Sequence, residues 1–580
     1  MTRLERPVTA PTRQVVAAAL ALLVLGTVGA IQAGFAGSSF MFDLEQVQPA
    51  LARVSPVIDP APVPRLARRV YLVVIDGLRA DRSYELPFLD DLRRRGVDIE
   101  AASHYPTWSR PNYVAILTGV PPSASGVRTN HHATPVLLDS LMDRARSAGL
   151  RVATATDYDV LPRLFLRRRG DLHKQRAEIE PIEIDIDDEG ASEVAAPRDP
   201  VARAVRDPDA DLMSPFDDAR YAPWPGGFSE ASAALVAGDA ELVVLLVGAV
   251  DLAGHSTGAG SEPYRDAALA ADHALEKALG RIDLSRDAVV ITADHGHTNR
   301  GGHGGLEPEV VTVPLVLAGA GVRPGATLFD ARLIDVSPTV AALLGIPAPG
   351  HGLGRTLTEL LALDDEAARR VSAADRTRTF VNERIVELAE ERADSDVLED
   401  RAWRIALVAG GALFGTLLAV LLIKRRVLRF DVRALVVSVP AFFVVYAGLI
   451  GLVGQRFSPS FLPAQGHIAS TLVKYGSAAM LVQLFASMWV LRSYRTLGER
   501  LAAANGIAWF GLTLSMTTAG LVWAFFPPPF VSLPSPTWLV VIPAVEVAVA
   551  CAAVNVALTL FVEVAIFVQR AWQRDHVTLD

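Results

Sequence analysis

Three aspartates in this sequence each follow a short apolar run: Asp76 after Val70–Ile75, Asp251 after Leu242–Val250 and Asp294 after Ala288–Ala293. Histidines stand close behind two of them. His255 lies four residues after Asp251, His295 adjoins Asp294, and His303 sits within Gly-Gly-His-Gly-Gly. Carboxylate with neutral imidazole is the donor set of zinc and similar first-row divalent ions. Three Asp and three His are enough for two ions, and a two-ion site commonly performs in-line displacement at phosphorus. Such a site also needs a nucleophile. Tyr105-Pro106-Thr107-Trp108-Ser109-Arg110-Pro111-Asn112 leads into an apolar, helix-like stretch, Tyr113–Gly119. A hydroxyl there, on Ser109 or Thr107, lies near the free N–H groups of a helix start, which favour an anion. Capping a helix is the commoner use of either residue. Glycines beside His303 let the backbone approach the site closely. His297 has no evident partner and reads as a surface residue or one supporting the ligands from behind rather than a ligand itself, and His131, His132, His351, His467 and His576 read as structural.

The elements that must position these groups are legible from the same runs. Each run is continuous rather than alternating, as expected of strands buried on both faces of a parallel sheet. Helical patterning lies between them, as in Pro263–Leu279, and Val313–Leu317 supplies a fourth strand. The expected fold is α/β, a doubly wound, mostly parallel sheet covered by helices. Ligands bind such sheets outside the carboxyl ends of the strands, so three strands would bring three carboxylates to one rim. One aspartate after a strand is usually a turn or cap residue. Three in succession, two of them with histidines, make that reading poor.

The chain has 580 residues, 51% of them hydrophobic, with a net charge of −9 and a mean hydropathy of +0.30. The acidic balance argues against nucleic-acid binding, and the single cysteine, Cys551, excludes an intramolecular disulfide and a thiolate cluster. Apolar runs long enough to span a bilayer fall at Gln14–Phe35, Ile405–Ile423, Ala434–Gly454, Ala469–Leu491, Leu501–Phe525 and Trp538–Val568. Arginines concentrate in alternate loops, which the positive-inside rule places in the cytoplasm. The expectation is a multi-pass plasma (inner) membrane protein with an uncleaved N-terminal anchor, both termini cytoplasmic and the soluble segment outside. Its divisions are a tail and anchor (1–37), a catalytic domain (38–363), a charged helical linker (364–404) and a membrane domain of about five spans (405–580). Lys474 and Glu546, toward the outer ends of their spans, are expected to approach each other. The acidic run Glu178–Glu193 reads as a solvated loop.

Val-Val-Ile-Asp76-Gly, Pro-Thr-Trp-Ser109-Arg-Pro-Asn112, Asp251-Leu-Ala-Gly-His255, Ala-Asp294-His295-Gly and Gly-Gly-His303-Gly together resemble the alkaline phosphatase superfamily. The branch is similar to the type I phosphodiesterase/nucleotide pyrophosphatase group and to the GPI ethanolamine phosphate transferases, over roughly Arg69–Leu361. The resemblance implies an alkaline-phosphatase-like fold and two divalent ions, zinc by preference. It implies one ion on Asp251, His255 and His303, and the other on Asp76, Asp294, His295 and Ser109, with Ser109 as nucleophile and Asn112 binding a phosphoryl oxygen. The sulfatase signature is absent, because Tyr113 stands where its final arginine belongs. The implied activity is a membrane-anchored phosphodiesterase or phospho-head-group transferase. It would act on a phosphodiester or phospholipid, with a glycolipid acceptor if phosphoethanolamine is transferred. The competing class is a transporter or lipid-binding protein with a regulatory phosphatase-like domain, for which Glu546 and Glu563 would suit an ion path.

Overall fold

A computed structural model describes residues 12–45, 49–59, 64–168, 212–452, 457–461, 468–530 and 532–577. The acidic run at 178–193 lies outside them. The chain divides into two compact units, one of residues 47–392 and the other of residues 1–46 with 393–580.

The first unit is built on a mixed sheet. Its strands are β1 (Val70–Ile75), β2 (Gly96–Ala102), β3 (Val152–Thr156), β6 (Asp218–Tyr221), β7 (Leu242–Val247), β8 (Ala288–Thr292), β9 (Thr312–Gly319) and β10 (Ala331–Arg332), with a separate ribbon of β4 (Arg167–Arg168) and β5 (Leu212–Met213). The spatial order is β10-β2-β9-β8-β1-β7-β3-β6. β1 is the centre: it pairs in parallel with β7 on one side and β8 on the other, Ile75 opposite Val247 and Val74 opposite Thr292. All three strands are buried throughout, which is why their sequences are unbroken apolar runs. The fourth predicted strand departs from the parallel pattern. β9 runs antiparallel to both β2 and β8, because the chain returns from the 293–311 loop alongside β8 instead of crossing over through a helix.

The predicted helix at 263–279 is Glu262–Leu279, capped by Ser261 and burying Tyr264, Ala268, Ala271, Leu275 and Leu279 against the sheet. The stretch after Ser109 is the helix Ser109–Thr118, stopped by Gly119 at φ 72°, a conformation an L side chain adopts only with strain.

In the second unit the apolar runs lie on helices Thr12–Glu45, the later part of Asp365–Lys424, Val432–Leu452, Ile468–Leu491, Leu497–Phe525 and Pro536–Val577. Four of these helices are long and apolar enough to cross a membrane, with spans in Arg13–Gln32, Asp365–Lys424, Leu497–Phe525 and Pro536–Ile566. The expected boundaries at 37 and 404 both fall inside helices, the second within the 60-residue helix Asp365–Lys424. The charged linker and the following span are therefore continuous helix. Lys474 is exposed and makes no ion pair with Glu546, whose Oε2 has no hydrogen-bond partner.

Glu563 is buried and held bidentately by Arg500, with Oε2 at 2.5 Å from Nε and Oε1 at 2.7 Å from Nη2. A carboxylate so engaged is a helix-to-helix tie, not a step on an ion path. Arg500→Ala strands a buried charge and should lower stability by about 3–5 kcal/mol. Arg500→Ala combined with Glu563→Leu should recover most of the loss, as read by thermal unfolding of the detergent-solubilised chain.

Candidate metal centre

The ends of β8, β1 and β7 place Asp294, Asp76 and Asp251 on one rim. Asp76 comes directly off β1, Asp294 two residues after β8, and Asp251 in the first turn of the helix Ala249–Thr257, which also carries His255 one turn on. The 293–311 loop contributes His295 and His303. The structure thus brings together all seven residues singled out as ligands.

Around Ser109 the contacts are close. Its Oγ lies 3.2 Å from His295 Nε2 and 3.5 Å from Asp76 Oδ1. His295 Nε2 lies 3.3 Å from Asp294 Oδ2 and 3.5 Å from Asp76 Oδ1. Asp76 Oδ2 accepts a hydrogen bond from the buried Tyr113 hydroxyl, and Asp294 Oδ1 accepts from the Gly77 amide at 3.0 Å. On the other side His255 Nε2 is 3.3 Å from Asp251 Oδ2 and 3.1 Å from His303 Nε2. His295 and His303 join the two halves, their rings stacked at 3.8 Å.

The backbone selects the tautomers. His303 Nδ1 donates to the Thr107 carbonyl at 2.6 Å and His295 Nδ1 to the Gly296 carbonyl at 3.1 Å. Each Nε2 is left with its lone pair facing the centre, the form in which imidazole binds a metal.

Electrostatics call for a cation. Asp294 Oδ2 is buried without any hydrogen-bond partner, and an uncompensated buried carboxylate oxygen is expensive. Burial, then the charges of Asp294 and Asp251, push Asp76 well above the usual carboxylate range. Burial also raises Asp294, and it lowers His295 and His303. Asp251 differs: the imidazoles of His255 and His297 beside it outweigh its burial and hold it well below that range. Divalent ions would relieve both the clustered carboxylates and the converging lone pairs. The groups Asp76, Asp294, His295 and Asp251, His295, His297, His303 each have donor atoms within 4.8 Å of one another.

Thr107 and Ser109 part company here. Thr107 is fully buried, its hydroxyl donating to the Gly305 carbonyl at 3.0 Å and accepting from the Gly304 amide at 2.7 Å. It ties the Ser109 loop to the His303 loop and has no hydroxyl capacity to spare. Ser109 is the first residue of its helix and faces the centre.

Asn112 is engaged within its own loop. It is fully buried, its Nδ2 facing the carbonyls of His104, Pro106 and Trp108 while Oδ1 accepts from the His104 amide. Every polar atom is spent on bracing the 104–108 loop, so none remains for a phosphoryl oxygen. Asn112→Ala should cost stability, about 2–3 kcal/mol from unsatisfied buried groups, read as a lower melting temperature with KM for a soluble diester little changed. Asn130 stands beside the residue that follows Ser109, its Oδ1 accepting from the Arg110 amide at 2.9 Å. Nothing in Thr129-Asn130-His131 distinguished it from a loop asparagine. Of the two readings of His297 the surface one does not hold: it is fully buried and contacts Asp251 at 2.7 Å, behind a ligand.

Residues 70–303 match the family "Type I phosphodiesterase / nucleotide pyrophosphatase". Among curated relatives, GPI ethanolamine phosphate transferase 1 of Mus musculus is 26% identical over 353 residues, covering 54% of this chain and 35% of the relative. A 2,3-bisphosphoglycerate-independent phosphoglycerate mutase of Dinoroseobacter shibae is 31% identical over 138 residues, covering 22% of this chain and 26% of its own length. Among solved structures, murine ectonucleotide pyrophosphatase/phosphodiesterase 5 superposes with a TM-score of 0.35 at 14% identity, covering 48% of this chain and 96% of that one. The chain thus spans about a third of the length of the first of these relatives. The family match runs from β1 through the Ser109 helix, β7 and β8 to His303, so it is the α/β domain of this chain that is similar to the type I phosphodiesterase/nucleotide pyrophosphatase family.

Proposed function

We propose that this protein is a membrane-anchored, two-metal phosphodiester transferase that uses Ser109 as nucleophile, and that it moves phosphoethanolamine or a similar head group from a lipid donor to a glycolipid acceptor outside the cytoplasm. The observation that carries the reading is Ser109 itself: a hydroxyl at a helix start, 3.2–3.5 Å from His295 and Asp76, where both a metal and an anionic substrate are favoured. Similarity to the ethanolamine phosphate transferases supports the transferase branch, and four helices long and apolar enough to cross a membrane support the anchoring.

Asp76, Asp294 and His295 with Ser109 would hold one ion, and Asp251, His255 and His303 the other; the Asp/His donor set suits zinc. Bound there, the ions would supply Lewis acidity and offset charge developing on the phosphoryl oxygens. Ser109 Oγ gives up its proton to solvent water and forms the new P–O bond as the bond to the leaving oxygen breaks, that oxygen taking a proton back from water. An acceptor hydroxyl, losing its proton to water, then displaces Ser109, which is reprotonated from water; water in the acceptor's place makes the reaction a hydrolysis. Asn130, beside the Arg110 amide, orients the phosphoryl group.

The decisive experiment is turnover by purified protein of nucleotide, simple diester and phospholipid donors, with and without a glycolipid acceptor. Transfer that depends on the acceptor and is abolished by chelation is the expected result. Hydrolysis unaffected by acceptor would overturn the transferase assignment, and turnover indifferent to chelation would overturn the metal assignment.

A further inference from the structure

His297 is the one residue of the histidine cluster that the two proposed ligand sets leave unused, yet it is fully buried. Its ring lies 5.0 Å from that of His255, 5.6 Å from His295 and 4.9 Å from His303. Its Nε2 lies 2.7 Å from Asp251 Oδ1, and its Nδ1 is buried with no hydrogen-bond partner. The unpartnered nitrogen fixes the tautomer. A buried lone pair is cheaper to leave alone than a buried N–H, so the proton sits on Nε2 and is donated to Asp251.

The distances separate this contact from ligation. Two donors bound about 2.0–2.1 Å from one tetrahedral ion stand roughly 3.3 Å apart. His255 to Asp251 at 3.3 Å and His303 to His255 at 3.1 Å fit that spacing, whereas 2.7 Å from His297 to Asp251 is a hydrogen bond. A slot has also been kept for the ring. A Cβ on Gly254 would stand 2.6 Å from His297 Cδ2, and one on Gly77 3.1 Å from the same atom. Both glycines adjoin ligands, Gly77 next to Asp76 and Gly254 next to His255, so the imidazole is wedged between the turn after β1 that carries Asp76 and the helix that carries Asp251.

We infer that His297 is a positioning residue for the metal centre: its Nε2–H clamps Asp251 Oδ1 so that Oδ2 is held toward His255 and the ion those residues share. A carboxylate ligand without such a partner swings between rotamers, and loss of an outer hydrogen bond of this kind typically weakens metal binding about 10–100-fold. The inference rests on the proposed metal centre and adds to it a determinant of affinity at one ion only.

The test is metal binding by the full-length protein in detergent, stripped with a chelator and titrated with Zn²⁺, and with Co²⁺ for its ligand-sensitive absorption. Wild type should take up two ions. His297→Phe should keep one ion at wild-type affinity and bind the other about 10–100-fold more weakly, with the Co²⁺ spectrum at saturation retaining its nitrogen-donor intensity. Gly254→Ala, which leaves every donor in place and suits a helix, should reproduce the effect by displacing the ring. His297→Gln, which restores an N–H donor, should recover part of the affinity and guards against a folding defect in His297→Phe. Unchanged affinity at both ions in a folded His297→Phe protein would overturn the inference, and so would a Co²⁺ spectrum showing one nitrogen donor fewer, which would make His297 a ligand. If wild type itself binds no ion, the metal centre fails rather than the role of His297.

Discussion

Ser109→Ala should reduce turnover by at least about 10⁴-fold, the scale seen when a covalent nucleophile is removed. The fold should be undisturbed. Ser109 opens its helix without acting as its side-chain cap, since the cap position is Trp108, and alanine is the better helix former. Metal content should hold near wild type, because Asp76, Asp294 and His295 remain on one side and Asp251, His255 and His303 on the other. Thr107→Val is the contrasting change. It removes the hydroxyl that bridges the Gly304 amide and the Gly305 carbonyl, and should act through displacement of His303, lowering melting temperature and metal affinity along with activity. Parallel measurements of turnover, bound metal and melting temperature distinguish them. Near-normal rates in Ser109→Ala beside an inactive but well-folded Thr107→Val would transfer the nucleophile to Thr107. A phosphorylated or phosphodiester-linked peptide containing residue 109, trapped at low pH, would be direct support.

The parts of this protein that could be read from sequence are those where chemistry adjoins a buried strand. Asp76, Asp251 and Asp294 were legible because an unbroken apolar run fixes where the chain leaves the sheet, and the next polar residue must then stand at its end. His255 followed from helical spacing after Asp251. Direction within the sheet is a different matter. The 312–319 run is as apolar as its neighbours, and nothing in a continuously apolar strand records which way it runs. The helix Asp365–Lys424 was divided in two by its change from charged to apolar residues, but no proline interrupts it, and the backbone does not register a change of surface. The contacts of His297, Asn112 and Asn130 were not legible for one common reason: the use of each is set by what lies opposite its side chain. Asn112 faces three carbonyls of its own loop, Asn130 meets an amide twenty residues back, and His297 reaches Asp251 across 46 residues. The partner of Glu563 is equally remote, at Arg500.

Asp294→Asn should have opposite effects on the metal-free and metal-loaded protein. Asp294 is fully buried; Oδ1 accepts the Gly77 amide at 3.0 Å and Oδ2 has no partner. Burial, reinforced by the charge of Asp251, raises its pKa in spite of His295 and the Gly77 amide, and its own charge helps to raise Asp76. The sign follows from proton linkage. A carboxyl whose pKa is higher folded than unfolded binds more protons in the folded state, between about pH 3.9 and the folded value. Its contribution is therefore greatest in acid and is lost as pH rises through that window. Asparagine keeps the Oδ1 acceptor and the volume but has no such loss, and it also relieves Asp76. Without metal, Asp294→Asn should thus melt above wild type, by a margin that widens from about pH 4 upward. The lowered pKa values of His295 and His303 work in the opposite direction with pH, but both chains carry them and they largely cancel in the difference. With zinc present the order should reverse, because an ion that binds only the folded state stabilises in proportion to the logarithm of its occupancy, and the variant lacks the anionic oxygen that would face the ion. Turnover should fall with it. The check is a set of melting curves for both chains from pH 5 to about pH 8, in chelator and in zinc. A metal-free variant that melts below wild type across that range would show that the Asp294 carboxylate is satisfied without a cation, and the case for the ion beside Ser109 would go with it.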